Sequence, residues 1–352
     1  MNTKYPLLNL MLQDMAIQDE LYRPTTFWEY GSKLIIDELQ QNEIKDFRNL
    51  HITRSFFFFF YSAVEYLESP KKYDVVIDEF HKMVGDKRFV TRLQRLFTGQ
   101  TSAFNDYRIL QASNRNFPPY TDKVSESFIG NPIEQHTFDR RNFSRSFLNY
   151  LLGLSFLKQN VDATDIKTVM EIGGGFGTLG EILLGDERNE ALYINADIPP
   201  VSFVSAYYLK EVFGEDAIAD YGDLRDLETL DILTLQKQYK ALNVTSWQVP
   251  KLQGKIDLFV NFISFQEMEP EVVQNYCFHI DRLQPKYILL RNMQEGKRKR
   301  DENHQAGVIE PILGDDYDRF LSNYRLLASD SEIFGFITED GFHSQLRIYE
   351  RI

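Results

Sequence analysis

Residues 168–180 read Thr-Val-Met-Glu-Ile-Gly-Gly-Gly-Phe-Gly-Thr-Leu-Gly, an apolar run that meets a carboxylate and then four glycines, Gly173, Gly174, Gly175 and Gly177, within five positions. Glycine weakens strands and helices, so such clustering calls for a reason. A strand that turns sharply into a helix while its backbone lies against a ligand supplies one. That arrangement places a nucleotide-like cofactor at the mouth of a doubly wound α/β sheet.

The rest of the chain supports an α/β reading from Thr168 onward. Short apolar strands are expected at Thr168–Ile172, Ala191–Asp197, Ala217–Asp220, Ile256–Phe262, Lys286–Leu290, Glu332–Ile337 and Gln345–Tyr349. Gly180–Leu184, Val201–Phe213 and Glu271–Leu283 fit intervening helices, and the last two strands lie close enough to pair antiparallel. Upstream, Phe27, Tyr30, Leu34 and Ile35 recur at helical spacing after Pro24, with Thr25 or Thr26 as cap. The turn-rich segment 113–136 breaks this pattern, and a helix is expected at Arg145–Leu157. The expected division is a helical part, 1–125, and a Rossmann-like part, 126–352.

Composition narrows the function. Against 52 Asp plus Glu stand 39 Lys plus Arg, a net charge of −13, which argues against nonspecific nucleic-acid binding. The single cysteine, Cys277, excludes an intrachain disulfide and a thiolate-clustered zinc site. No apolar run reaches membrane-span length. The nearest, Phe56–Val64 with its five phenylalanines, reads as a buried helix. The amino terminus carries no secretion-signal pattern, so a cytoplasmic location is expected.

Gly175-x-Gly177-x-x-Gly180 formally matches a dinucleotide fingerprint, whose first glycine directly follows the strand. Here the expected strand ends at Ile172, and a count begun at Gly173 puts Thr178 where the third glycine belongs. What fits the strand end is Glu171-x-Gly173-x-Gly175-x-Gly177, similar to the acidic and glycine pattern of class I S-adenosylmethionine-dependent methyltransferases. Asp197, followed by Ile198, ends the next strand, where a carboxylate can accept from both ribose hydroxyls. Asp223 is placed to accept from an adenine amino group, and Asn261 ends the fourth strand. Glu171 touches the ligand or holds a loop amide.

More of the chain resembles one family in particular. Gly130-Asn-Pro-Ile-Glu-Gln, the glycine segment from Glu171, Asp197-Ile-Pro-Pro-Val-Ser-Phe, Asn261-Phe-Ile-Ser-Phe-Gln-Glu-Met-Glu-Pro, Arg291-Asn-Met-Gln-Glu-Gly-Lys, Gly314-Asp-Asp-Tyr and Gly341-Phe-His-Ser-Gln-Leu-Arg-Ile-Tyr occur in that order. They resemble the sugar O-methyltransferase family of class I over roughly residues 125–350. The resemblance implies S-adenosylmethionine as cofactor and methyl transfer to a hydroxyl, of a sugar in a surface glycan or a glycosylated metabolite. It implies Gln266, Arg291 and Asn131 as acceptor-side residues, with Arg145 another contact by analogy.

Transfer to a weakly nucleophilic hydroxyl wants a positioned base beyond the carboxyl ends of the strands. Glu267 is the first candidate, as against a carboxylate that merely favours a helix start. His304, beyond the fifth strand, and His343, in a Gly-Phe-His turn, are the others. His51, His81, His136 and His279 read as structural or surface residues. A divalent cation held by Asp315, Asp316 or Glu310 would acidify the hydroxyl, but paired loop carboxylates are usually just solvated, and no metal is assigned. The basic run 297–300 would suit a phosphate or simply solvent. The N-terminal helices are expected to shape the acceptor pocket or to form a subunit contact in a homo-oligomer. Three rivals stand beside this reading: a methyltransferase with a non-sugar N- or O-acceptor, an NAD-dependent oxidoreductase, and a non-catalytic binding module.

Overall fold

The computed structural model describes residues 3–301, 307–338 and 341–352. Six named helices lead the chain: α1 (Pro6–Ala16), α2 (Thr26–Gln41), α3 (His51–Phe57), α4 (Pro70–Val84), α5 (Lys87–Phe97) and α6 (Gln100–Ser113). A small hairpin, His136–Phe138 with Arg141–Phe143, leads into α7 (Arg145–Asn160), whose cap is the Ser144 side chain accepting from Phe147 N–H. The α/β part then runs β1 (Thr168–Ile172), α8 (Thr178–Leu184), β2 (Leu192–Asp197), α9 (Val201–Phe213), β3 (Ile218–Ala219), β4 (Ala241–Thr245), β5 (Leu258–Phe262), α10 (Pro270–Leu283), β6 (Tyr287–Met293), β7 (Tyr324–Asp330), β8 (Phe336–Ile337) and β9 (His343–Arg351).

The main sheet orders these strands β7-β9-β6-β5-β1-β2-β4-β3, with β8 paired to β9. From β6 to β3 all neighbours are parallel, and β9 is antiparallel to β6, β7 and β8. This is the mostly parallel, doubly wound sheet with an antiparallel last strand expected of a class I methyltransferase. The order reverses at β1, because β1 has β2 on one side and β5 on the other, so a crevice opens above the carboxyl ends there. Strand β1 is buried along its whole length, as a central parallel strand covered on both faces should be.

Three expectations need correcting. The third strand of the crevice is β4, a fully buried Ala-Leu-Asn-Val-Thr, while the expected strand at Ala217–Asp220 is only the two-residue edge β3. The long strand near the C-terminus that pairs with β9 is β7, and of Glu332–Ile337 only Phe336 and Ile337 pair. The phenylalanine run is not one helix: α3 ends at Phe57, and Phe58 turns extended. The break splits the rings, with Phe57 and Phe58 buried and Phe59 43% exposed.

Helices α2 and α3 do not stand apart from the sheet. Ile35, Leu39, Phe47 and Phe57 belong to the same buried cluster as Phe147 of α7, Phe176 of the glycine turn and Tyr208 of α9. A buried ion pair, Arg48 with Glu126, lies beneath this contact, and the Arg48 guanidinium stands 5.2 Å from the Phe176 ring centroid. Among the described residues no helix is long and apolar enough to cross a membrane.

Candidate functional site

The glycine turn is built by three close approaches. Strand β1 ends at Ile172, and Gly173, Gly175 and Gly177 take φ of 72°, 58° and 99°, a region L side chains avoid. A Cβ on Gly173 would lie 1.9 Å from Ser264 Oγ, and one on Gly174 would lie 2.5 Å from both Glu171 Oε2 and Asn195 Oδ1. A Cβ on Gly175 would meet nothing within 4 Å. The turn is therefore packed on two sides and open at Gly175, where it faces a cleft. Gly177 caps α8 against α9, and a Cβ on Gly180 would lie 2.5 Å from the Tyr193 ring. The contact at Gly180 is the helix–strand approach that a dinucleotide fingerprint also needs, so glycines alone do not separate the two cofactors.

Glu171 lies under the turn and not in the cleft. It accepts from Tyr150 OH at 2.7 Å and Tyr193 OH at 2.6 Å. Burial pushes its carboxyl up to about 7, against the pull of the two hydroxyls. Asp197 does line the cleft. Its two oxygens accept from Gly175 N–H at 3.2 Å and Ile198 N–H at 2.8 Å, which ties the end of β2 to the turn. Burial raises Asp197 to about 8, the two amides oppose the rise, and the charges of Glu171 and Glu267 add to it. Each carboxylate oxygen keeps a further lone pair for a ligand hydroxyl.

The cleft holds about 1080 Å³ of empty space, counting its open mouth. Its floor is the turn with Asp197 and Ile198, and one wall is Ser264, Glu267 and Met268 after β5. A further wall comes from the N-terminal part, through Trp28 of α2, Phe56 and Phe57 of α3, and Phe59 just after it. Glu267 is held twice, by Lys297 Nζ at 2.6 Å and by the indole N–H of Trp28 at 3.1 Å. Thr25, the residue before α2, makes no cap hydrogen bond and its hydroxyl points to the Glu267 carbonyl at 3.4 Å.

Of the residues read from sequence, the cleft brings together Gly173, Gly174, Gly175, Asp197, Ile198, Glu267 and Arg291. Asn261 is buried behind it, donating to Ile172 O and accepting from Phe265 N–H, so it shapes the strand end. Gln266 turns away, its side-chain oxygen accepting from Met293 N–H. Asp223 does not reach the cleft. It closes a capping box with Asp220 on the short helix Tyr221–Leu224, beyond the edge strand, and Ser246 after β4 lines the cleft instead. Asn131 is exposed with φ 55° and its amide reaches Asp46. Arg145 donates to Phe60 O, away from the cleft. His343 bonds Glu295 at 2.6 Å and does not line the cleft. His304 lies outside the described residues.

Asp315 and Asp316 pair with Arg347 and Arg319. Among the described residues no three His, Cys, Asp or Glu side chains converge as a metal-binding group. Sequence reasoning missed Trp28, Tyr150, Ser246 and Tyr276, which line the cleft. Their only sequence signal is aromatic or polar character at helical or strand-end positions, which core residues share.

No family model matches the sequence, and no curated protein matches it. Among solved structures, the chain is similar to the mitomycin 7-O-methyltransferase MmcR, at 12% identity and TM-score 0.36 over 59% of this chain and 58% of that one. It is similar to TnmH at 12% identity and TM-score 0.35, over 59% of each chain. A third is the magnesium protoporphyrin IX methyltransferase ChlM from Synechocystis PCC 6803 with bound SAH, at 12% identity and TM-score 0.37, over 58% of this chain and 81% of that one. The overlaps thus span less than two thirds of the first two structures.

Proposed function

We propose that this chain is an S-adenosylmethionine-dependent O-methyltransferase whose acceptor is a sugar hydroxyl. The observation that carries the cofactor is the acid lining of the cleft. Asp197 and Glu267 line it and Glu171 lies under the turn. Burial, and after it the charges of Glu171 and Glu267, raise Asp197 to about 8, so a cation in the cleft would draw it into its charged form. A sulfonium would do that, and a pyrophosphate would oppose it.

When bound, S-adenosylmethionine supplies a methyl group on a positively charged sulfur, open to attack by a hydroxyl oxygen. The chain's own residues do the rest. The open face of Gly175 admits a ligand against the backbone, and Asp197 is placed to accept from ribose hydroxyls. Glu267, on the β5 wall, is positioned to take the acceptor's proton, with Lys297 and Trp28 fixing its orientation. The Trp28, Phe56 and Phe59 wall excludes water and offers stacking faces for the apolar side of a sugar ring. On this reading residues 1–125 form the acceptor side and residues 126–352 the cofactor side.

The same rings would stack on a flat aromatic acceptor, which keeps a non-sugar phenol as a second reading. Incubation with methyl-labelled S-adenosylmethionine and parallel panels of sugars, glycan fragments and phenols tests both. Label in sugar hydroxyls supports the proposal, label only in phenols transfers it to the second reading, and label in neither contradicts both.

A further inference from the structure

We propose that Arg291 anchors an anionic group of the acceptor, a carboxylate or a phosphate ester, so that the sugar methylated is an acidic one. This rests on the methyltransferase reading and extends it to the charge of the substrate. Arg291 is fully buried yet borders the cleft. Its Nη2 donates to Phe334 O at 2.8 Å and Asn149 O at 3.3 Å. Its Nε and Nη1 are buried with no partner among the described residues, and no carboxylate there lies within ion-pair distance. A buried cation is ordinarily paired, because desolvating it uncompensated is costly. Burial pulls Arg291 down to about 10, against the more distant charges of Asp106 and Asp330, and this still leaves it charged at neutral pH. A cation kept under those conditions is one that a ligand completes.

Its place in the sheet says which ligand. Asp197 ends β2, the glycine turn follows β1, and Arg291 lies on β6, two strands past β1 in the order β2-β1-β5-β6. At strand spacing that is about 10 Å beyond the turn and farther still from Asp197. On the methyltransferase reading the cofactor takes the β2–β1 side of the cleft and the acceptor the β6 side. Arg291 is in register with Phe262, its guanidinium 5.3 Å from that ring, and Phe262 stacks on Tyr150 at 4.7 Å. Asn149 and Ser146 of α7 give the same corner polar neighbours.

Calorimetry on the full chain tests this with S-adenosylhomocysteine (SAH), D-glucuronate, D-glucose 6-phosphate and D-glucose as probes. SAH is titrated first; if the wild type does not bind it, the methyltransferase reading itself fails. In SAH-saturated protein, at least one acidic sugar is expected to bind about tenfold or more tighter than glucose. Arg291→Met should abolish that preference and leave SAH affinity unchanged, and Arg291→Lys should keep part of it. Equal binding of all three sugars, binding of none, or a preference that survives in Arg291→Met overturns the proposal. A fall in SAH affinity in Arg291→Met with the sugar preference intact moves the anion to the cofactor's own carboxylate and also overturns it. Should Arg291→Met not fold, the wild-type preference and the Arg291→Lys comparison decide.

Discussion

The Lys297 ammonium stands 2.6 Å from Glu267 Oε1 and 3.7 Å from the centroid of the Phe27 ring. It thereby joins the segment after β6 to the turn after β5 and to helix α2. The pair is largely buried, with side-chain exposures of 19% and 12%. Glu267→Gln keeps the shape and removes the proton acceptor, so kcat should fall by about 10²–10⁴ with SAH affinity unchanged. Lys297→Met should lower both melting temperature and kcat, because it leaves the carboxylate with Trp28 alone. In the Glu267→Gln background the Lys297 change should cost little further turnover, and additive losses would show that the two residues act independently.

Asp197 gives a prediction in pH. Its carboxyl is raised by burial to about 8, from an ordinary value of about 4 in the unfolded chain. The folded state therefore holds this proton more tightly than the unfolded one. The stabilisation is complete below the ordinary value and is lost as pH rises through about 8. Asp197→Asn cannot ionise, so its melting temperature should gain on the wild type between about pH 4 and 8 and run parallel to it above that. Wild-type SAH affinity should rise across pH 8 as the carboxylate forms, and the variant should show no such rise. Melting curves of the two proteins that run parallel between about pH 4 and 8 as well would refute the assignment.

The glycine turn makes a graded prediction. Gly173→Ala and Gly174→Ala drive a methyl into Ser264 and into Glu171 with Asn195, so both should lose cooperative folding or cost more than about 2 kcal/mol. Gly175→Ala meets no atom and bears only its positive φ, about 1–2 kcal/mol. That variant should fold, yet bind SAH poorly, because its methyl enters the cleft. Chemical denaturation with calorimetry on each variant checks the order.

Arg48 tests whether the N-terminal helices are part of the site. It pairs with buried Glu126, which also accepts from Ser144, and it stacks on Phe176 of the glycine turn. Arg48→Met leaves Glu126 buried without its cation, a loss of about 3–5 kcal/mol. SAH affinity should weaken with it, since Phe176 loses its support. A variant as stable as the wild type would separate the helices from the turn.

What could be read from the sequence follows from how much of each signal is local. Strand β1 and its turn were legible because a mostly apolar run, its carboxylate Glu171 and a glycine cluster admit few other folds. Strand β4 was not, because Ala-Leu-Asn-Val-Thr is short and carries Asn243 in its middle. That residue is buried, with its side-chain oxygen accepting from Ser205. Missing β4 moved the third strand to Ala217–Asp220 and carried Asp223 with it toward a cleft that it does not line. The phenylalanine run shows apolar character without saying where a helix ends, and that end is what turns Phe59 toward the cleft. Glu267 was visible as a strand-end acid, but its partners Trp28 and Lys297 are 239 and 30 residues away in the chain. Contacts of that kind are written in the fold alone.

Titration calorimetry of the wild-type chain with SAH and, separately, with NADH tests the central claim most directly. The account predicts saturable one-to-one binding of SAH, weakened by Asp197→Asn, and no binding of NADH. Binding of NADH without SAH, or of neither, would contradict it.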